Sequence, residues 1–209
     1  MNKRAQIEEG FRKYIPHEFV PYLVNLLFSE KVQFKVTRSR KTKLGDYRPP
    51  YGQRTSHVIT INHDLNPYAF LITTLHEFAH MNTYLKFGNK VKAHGLEWKA
   101  EFRSLLIPLL DSSTIPEDIK KALSKSIYNL KASSCTDAHL YRTLKQYNKN
   151  AESTVLVEEI AIEQHFILQD KRFQRGFKRR SRYLCKDVST GKMYLINGLA
   201  EVEPIKQEE

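Results

Sequence analysis

The sequence predicts an α+β protein in two parts: a helix-rich domain with a small sheet over residues 1–150, and a small basic antiparallel β appendage over residues 154–205. Three observations predict it. Apolar residues recur three and four apart in several segments before Asn148, which is the helical period. Residues 31–39 alternate apolar and polar side chains, the period of a half-buried strand. After Val155 the pattern changes to short alternating or apolar runs broken by turn residues.

In chain order, Phe11, Tyr14, Ile15, Phe19, Leu23, Leu26 and Leu27 are helically spaced, with Pro16 and Pro21 marking starts or kinks. They predict a core-covering helix from about His17 to Ser29. A strand follows from Lys31 to Ser39, with Val32, Phe34 and Val36 on one side and Lys31, Gln33 and Lys35 on the other. The next stretch, RSRKTKLGDYRPPYGQRT, is rich in charge, Gly and Pro and is expected to be an extended hairpin loop. SHVITINHDL is the second strand, and it runs into a segment framed by the N-cap residue Asn66, Pro67 at the first helical position and Gly88 as a left-handed stop. That frame gives a helix of about 21 residues. Which strand forms the sheet edge is not legible, but an edge beside this helix would bind extended polypeptide by adding it to the sheet.

From Leu96 to Leu110 the spacing of Trp98, Phe102, Leu105, Leu106 and Leu109 predicts a second core helix, ended by Pro108 and Asp111. Trp98 is expected to pack that helix against its neighbour. Thr114 followed by Glu117 has the form of a capping box, opening an amphipathic helix with Ile119, Leu123, Ile127 and Leu130 inward. Thr136 or Asp137 would cap a short helix carrying Leu140, Leu144 and Tyr147, and the polar run Asn148 to Ser153 reads as a linker. VLVEEI, EQHFILQ, SRYLCKDV and KMYLING read as strands, with a hairpin at Ser189-Thr190-Gly191 and an acidic tail from Glu201 expected to fray.

The long helix carries His76-Glu77-Phe78-Ala79-His80, the H-E-x-x-H pattern. Residues four apart share a helix face, so His76 and His80 can aim ring nitrogens at one centre about 2 Å away. Glu77 is about 100° further round, so its carboxylate reaches beside that centre. There it can take a proton from an activated water and return it to a leaving amine. A catalytic zinc needs a third protein ligand. His94, beside Gly95 and past the Gly88 turn, is the candidate on imidazole chemistry; Glu97 and Glu101 are the rivals. His17, His57, His63, His139 and His165 are expected to be surface or hydrogen-bonding residues.

HEFAH followed by AHGLEW resembles the SprT-like family of zinc metallopeptidases, which includes the bacterial SprT proteins and the Spartan proteases that cut proteins crosslinked to DNA. The resemblance is specific from about Val32 to Phe102. It implies a zincin-like metallopeptidase domain over residues 1–150, with His76, His80 and His94 as ligands of one catalytic Zn2+ and Glu77 as the catalytic residue. Many members carry a four-cysteine zinc ribbon after this domain. This chain departs from that pattern, because Cys135 and Cys185 stand fifty apart and lack the spacing for one. Its residues 154–205 then resemble a degenerate ribbon held by packing, with each cysteine an ordinary thiol.

At 209 residues and 41% hydrophobic content the chain can bury one good core plus a small appendage. It has no apolar run long enough for a membrane span and no apolar segment of the signal-peptide kind at its start, so no membrane partner and a cytoplasmic location are expected. The 34 basic residues exceed the 23 acidic ones, giving a net charge of +11 that favours polyanions. Residues 31–48 hold seven basic residues against Asp46 alone. Residues 171–182 hold Lys171, Arg172, Arg175, Lys178, Arg179, Arg180 and Arg182 with no acid, interleaved with Phe173 and Phe177. Arginines beside aromatics suit stacking and phosphate contact with single-stranded or irregular nucleic acid, whereas a plain strand would bury both phenylalanines. No sequence-reading motif appears, so DNA binding without sequence preference is the expectation.

These readings predict a zinc-dependent endopeptidase with a polypeptide substrate, acting on proteins bound or crosslinked to DNA. A non-catalytic, zinc-containing basic adaptor for nucleic acid in transcription or repair is the alternative. Metal-dependent hydrolysis of a non-peptide bond is a third, because H-E-x-x-H fixes water activation more firmly than substrate.

Overall fold

A computed structural model describes residues 2–40, 42–128, 137–149 and 151–205. Leu130, Cys135 and Thr136, named above, lie outside them. The chain is α+β and forms two compact units, Met1–Tyr147 and Asn148–Glu209.

In the first unit, α1 (Lys3–Phe11) precedes a 3₁₀ turn at His17–Phe19 and α2 (Val20–Ser29), so the helix expected from His17 begins as a tighter turn. Strands β1 (Val32–Thr37), β2 (Gly45–Arg48) and β3 (His57–Asn62) form a sheet in the order β1-β3-β2. The expected hairpin is not formed: β1 runs parallel to β3, and β2, hidden in the charged stretch, takes the antiparallel place on the other side. All six residues of β3 are buried, as a central strand requires. The loop that delivers β2 is stapled to β3 by Arg40, whose Nε donates to Asn62 Oδ1 at 2.8 Å and whose guanidinium also donates to Thr60 Oγ1 at 2.9 Å. Asn62 donates in return to the carbonyls of Arg40 and Lys43 at 3.2 and 3.0 Å.

Helix α3 (Pro67–Phe87) packs on β2 and β3 and is buried nearly all round, which makes it the centre of the unit. Its ends are as the sequence predicts. Asn66 Oδ1 accepts the Ala69 N–H at 2.9 Å, and Gly88 at φ +60° closes the last turn with its N–H on Tyr84 O at 2.7 Å. Helix α4 (Leu96–Asp111) lies against α3 and buries Trp98, Phe102, Leu105, Leu106 and Leu109. Pro108 sits inside α4 instead of ending it; near the C-terminus its missing N–H removes one helical bond and the last turn continues.

The capping box at Thr114 is also not formed. The Thr114 hydroxyl bonds Glu18, and α5 (Glu117–Tyr128) opens with the Lys120 N–H on Pro116 O at 3.0 Å. Asp137 caps α6 (Ala138–Lys145), accepting from the N–H groups of His139 and Leu140.

The second unit is a six-stranded antiparallel sheet in the order β4-β9-β5-β6-β7-β8. Its strands are β4 (Val155–Leu156), β5 (His165–Leu168), β6 (Lys171–Arg179), β7 (Arg182–Asp187), β8 (Met193–Asn197) and β9 (Glu201–Pro204). Only the first two residues of VLVEEI are strand; Val157–Glu159 form a 3₁₀ turn. The tail does not fray at its start, because Val202 is buried opposite Val155 and β9 fills the gap between β4 and β5. Phe166, Phe173, Tyr183 and Cys185 make the core. No described helix is long and apolar enough to cross a membrane.

Candidate metal centre

His76 and His80 stand one turn apart on α3, and the chain leaving Gly88 turns back so that His94 meets them just before Gly95, the N-cap of α4. The Nε2 atoms of His76 and His80 are 3.1 Å apart, and those of His94 and His76 are 3.4 Å apart. The ligating nitrogens of all three rings lie within 4.8 Å of one another. Two ring nitrogens can share a proton, but three converging on one point cannot all be satisfied that way. One cation satisfies them together. A tetrahedral zinc with nitrogens about 2.0–2.1 Å away holds those nitrogens about 3.3–3.4 Å apart, and the two separations at His76, 3.1 and 3.4 Å, are compatible with such an ion. Among the described residues this is the cluster of metal-ligating type.

Burial keeps these imidazoles neutral. It pushes His76 down to about 3 and His80 down to about 4, with the neighbouring histidines adding to the effect, and it lowers His94 as well. A neutral imidazole presents the lone pair that a metal needs. Beneath the rings lies Trp98, fully buried, with its centroid 4.7 Å from those of His76 and His94 and 5.3 Å from that of His80. Phe102 stacks on Trp98 at 5.0 Å and also meets the His76 ring edge-on at 5.7 Å. This aromatic floor packs against all three imidazoles.

Glu77 points toward β2. It is 6% exposed and accepts the Tyr47 N–H, and its pKa is raised to about 8 by burial first and by the Asp46 charge second, against the pull of Tyr47 N–H, Arg40 and Lys43. Asp46 is pushed up by burial, but Lys43 and Arg48, each 2.7 Å from it, outweigh this and hold it below its ordinary value. Gly45 makes the room. A Cβ there would lie 2.5 Å from Glu77 Oε1, 2.8 Å from Glu77 Cγ and 2.9 Å from the Thr73 methyl.

The rival ligands do not join the cluster. Glu101 pairs with Lys86 at 2.6 Å, and Glu97 lies against the Gly95 turn. His57 is a hydrogen-bonding residue, its Nδ1 2.9 Å from the Tyr47 hydroxyl, and His17, His63, His139 and His165 lie outside the cluster. Sequence reading missed Gly45, Asp46, Tyr47 and Arg40, which surround Glu77. A glycine beside an Asp-Tyr pair in a basic loop was the available signal, and it is a faint one.

The basic residues fall in the second unit. Lys171, Arg172, Lys178 and Arg179 are exposed on β6, Arg180 sits in the turn at φ +57°, and Arg182 is exposed at the start of β7. Arg175 is half-buried and lies over the Tyr183 ring at 4.3 Å, with Lys178 Nζ 5.9 Å from the same ring. Phe173 is core, but Phe177 is 73% exposed. A bulge between Arg175 and Lys178 turns it outward, and Gly176 permits the bulge, since a Cβ there would meet Leu184 O at 2.3 Å. Cys185 is buried, and burial raises its thiol.

The chain matches no family model, no curated protein and no solved structure.

Proposed function

We propose that this protein is a zinc-dependent endopeptidase of the SprT-like, zincin-like type. The observation that carries the reading is the convergence of His76, His80 and His94 beside a buried carboxyl on the same helix. When bound, the zinc ion supplies Lewis-acid polarisation of the peptide carbonyl and acidifies the attacking water. The three neutral imidazoles of His76, His80 and His94 would hold it. Glu77, buried beside the histidines, takes the proton of the water and delivers it to the leaving amine nitrogen. Tyr47 N–H and the space at Gly45 hold that carboxyl in place, while Trp98 packs against all three imidazoles.

The substrate is polypeptide, and the exposed cations of β6 with Phe177 between them support attachment to DNA without sequence preference. Proteins bound or crosslinked to DNA are then the natural targets. The test is Glu77→Gln with zinc content and casein cleavage measured together, with and without single-stranded DNA. The variant is expected to keep its zinc and lose cleavage. Equal cleavage by variant and parent would remove the mechanism. Tight DNA binding by a zinc-loaded parent that cleaves neither casein nor itself would favour the adaptor reading, to which the basic face of the second unit is equally suited.

A further inference from the structure

We propose that the outer edge of β1 and the groove beside it dock an extended peptide that alternates apolar and acidic residues. This does not depend on the metal centre. β1 ends the sheet order β1-β3-β2, so among the described residues no strand covers its second edge. Its register with β3 shows which backbone groups face outward. His57 N–H bonds Lys31 O and His63 N–H bonds Thr37 O, so the odd-numbered residues are committed to β3. The N–H and C=O groups of Phe34 and Val36 therefore point to the open side, ready to receive a strand.

A groove of about 670 Å³ runs along this edge, walled by Ile7, Gly10, Phe11 and Tyr14 from the α1 side and by Leu27 and Phe28 at the end of α2. The Phe34 ring lies 5.1 Å from that of Phe11, which puts the even-numbered side chains of β1 on the α1 face. A strand added at the edge would bury its own apolar residues on that face, against α1. Its other residues would lie beside Lys31, Gln33 and Lys35, all exposed.

Charge selects the occupant. Lys3, Lys31 and Lys35 line the groove against Glu30 alone. Acidic side chains opposite Lys31 and Lys35 make favourable cross-strand pairs, while a second copy of this chain would set lysine against lysine and is disfavoured. Phe28 at 47% and Val36 at 37% exposure leave apolar surface at the mouth for the partner to cover.

Gly10 gives a clean probe of the groove, since a Cβ built there meets nothing within 4 Å. The experiment is fluorescence anisotropy with the full chain and an acetylated peptide of alternating valine and glutamate, about eight residues long. Saturable binding is expected, weakened about tenfold or more by N-methylation of alternate peptide amides and by Gly10→Phe. The double variant Lys31→Glu, Lys35→Glu should move the preference to a valine–lysine peptide. Absence of saturable binding by the valine–glutamate peptide would overturn the proposal. So would binding indifferent to N-methylation and to Gly10→Phe, which would mark plain attraction to a cationic surface.

Discussion

Gly45→Ala is the sharpest perturbation of the site that touches neither a metal ligand nor Glu77 itself. The new Cβ would arrive 2.5 Å from Oε1 and 2.8 Å from Cγ of Glu77, where ordinary contact begins near 3.4 Å. The carboxylate must therefore retreat by 3.4 − 2.5, about 0.9 Å. Rotating Oε1 alone does not relieve the clash, because Cγ and the Thr73 methyl at 2.9 Å are also too close. A misplacement of about 1 Å in a catalytic group costs about 100-fold in rate, equivalent to about 2.7 kcal/mol of barrier. We expect kcat for casein cleavage to fall by that order with one zinc still bound per chain and little change in zinc affinity. Thermal unfolding run alongside shows whether β2 has moved with the substitution. A Gly45→Ala protein that keeps its zinc, its stability and its full cleavage rate would refute the positioning of Glu77 by β2.

Metal-free protein should show Glu77 in its pH dependence. The folded pKa of about 8 lies above the ordinary 4.5, so between these values the folded chain holds a proton that the unfolded chain has released, and stability falls as pH rises through this window. Metal-free Glu77→Gln should thus be more stable than the metal-free parent at pH 8, by on the order of a few kcal/mol, with the difference closing near pH 4.5 in thermal scans across pH. Trp98→Ala removes the floor of the site. It should destabilise the first unit by about 3–5 kcal/mol in denaturant titrations and weaken zinc retention against a chelator, whereas a variant with unchanged zinc off-rate would show that the ring does not orient the histidines. Reversing Arg179 and Arg182 to glutamate should lower affinity for single-stranded DNA and flatten its salt dependence, read by anisotropy at several salt concentrations; an unchanged slope would remove β6 from the interface.

Much of the candidate metal centre was legible because its signals are local. The Asn66-Pro67 start, the Gly88 stop and the four-residue spacing of His76 and His80 fix which face of α3 carries the two histidines. His94 was reachable by ligand chemistry, but its approach depends on the turn from Gly88 to Gly95. The surroundings of Glu77 were hidden because Gly45–Arg48 is a four-residue strand in a charged, proline-flanked loop, held by Arg40 and Asn62 across the sheet. Strand direction was equally out of reach: alternation in β1 reports a half-buried face and says nothing about parallel pairing. Period-two counting places Phe177 with the buried Phe173, and only the bulge at Gly176 turns it outward. The acidic composition after Glu201 suggested fraying, yet one buried valine and an unfilled place between β4 and β5 were enough to make a strand.

The central claim is that three imidazoles hold one metal ion. Zinc per chain, measured on the parent and on His94→Ala after dialysis against a mild chelator, tests it directly. The account predicts one zinc in the parent and little or none in the variant. A variant that retains zinc as firmly as the parent would contradict it.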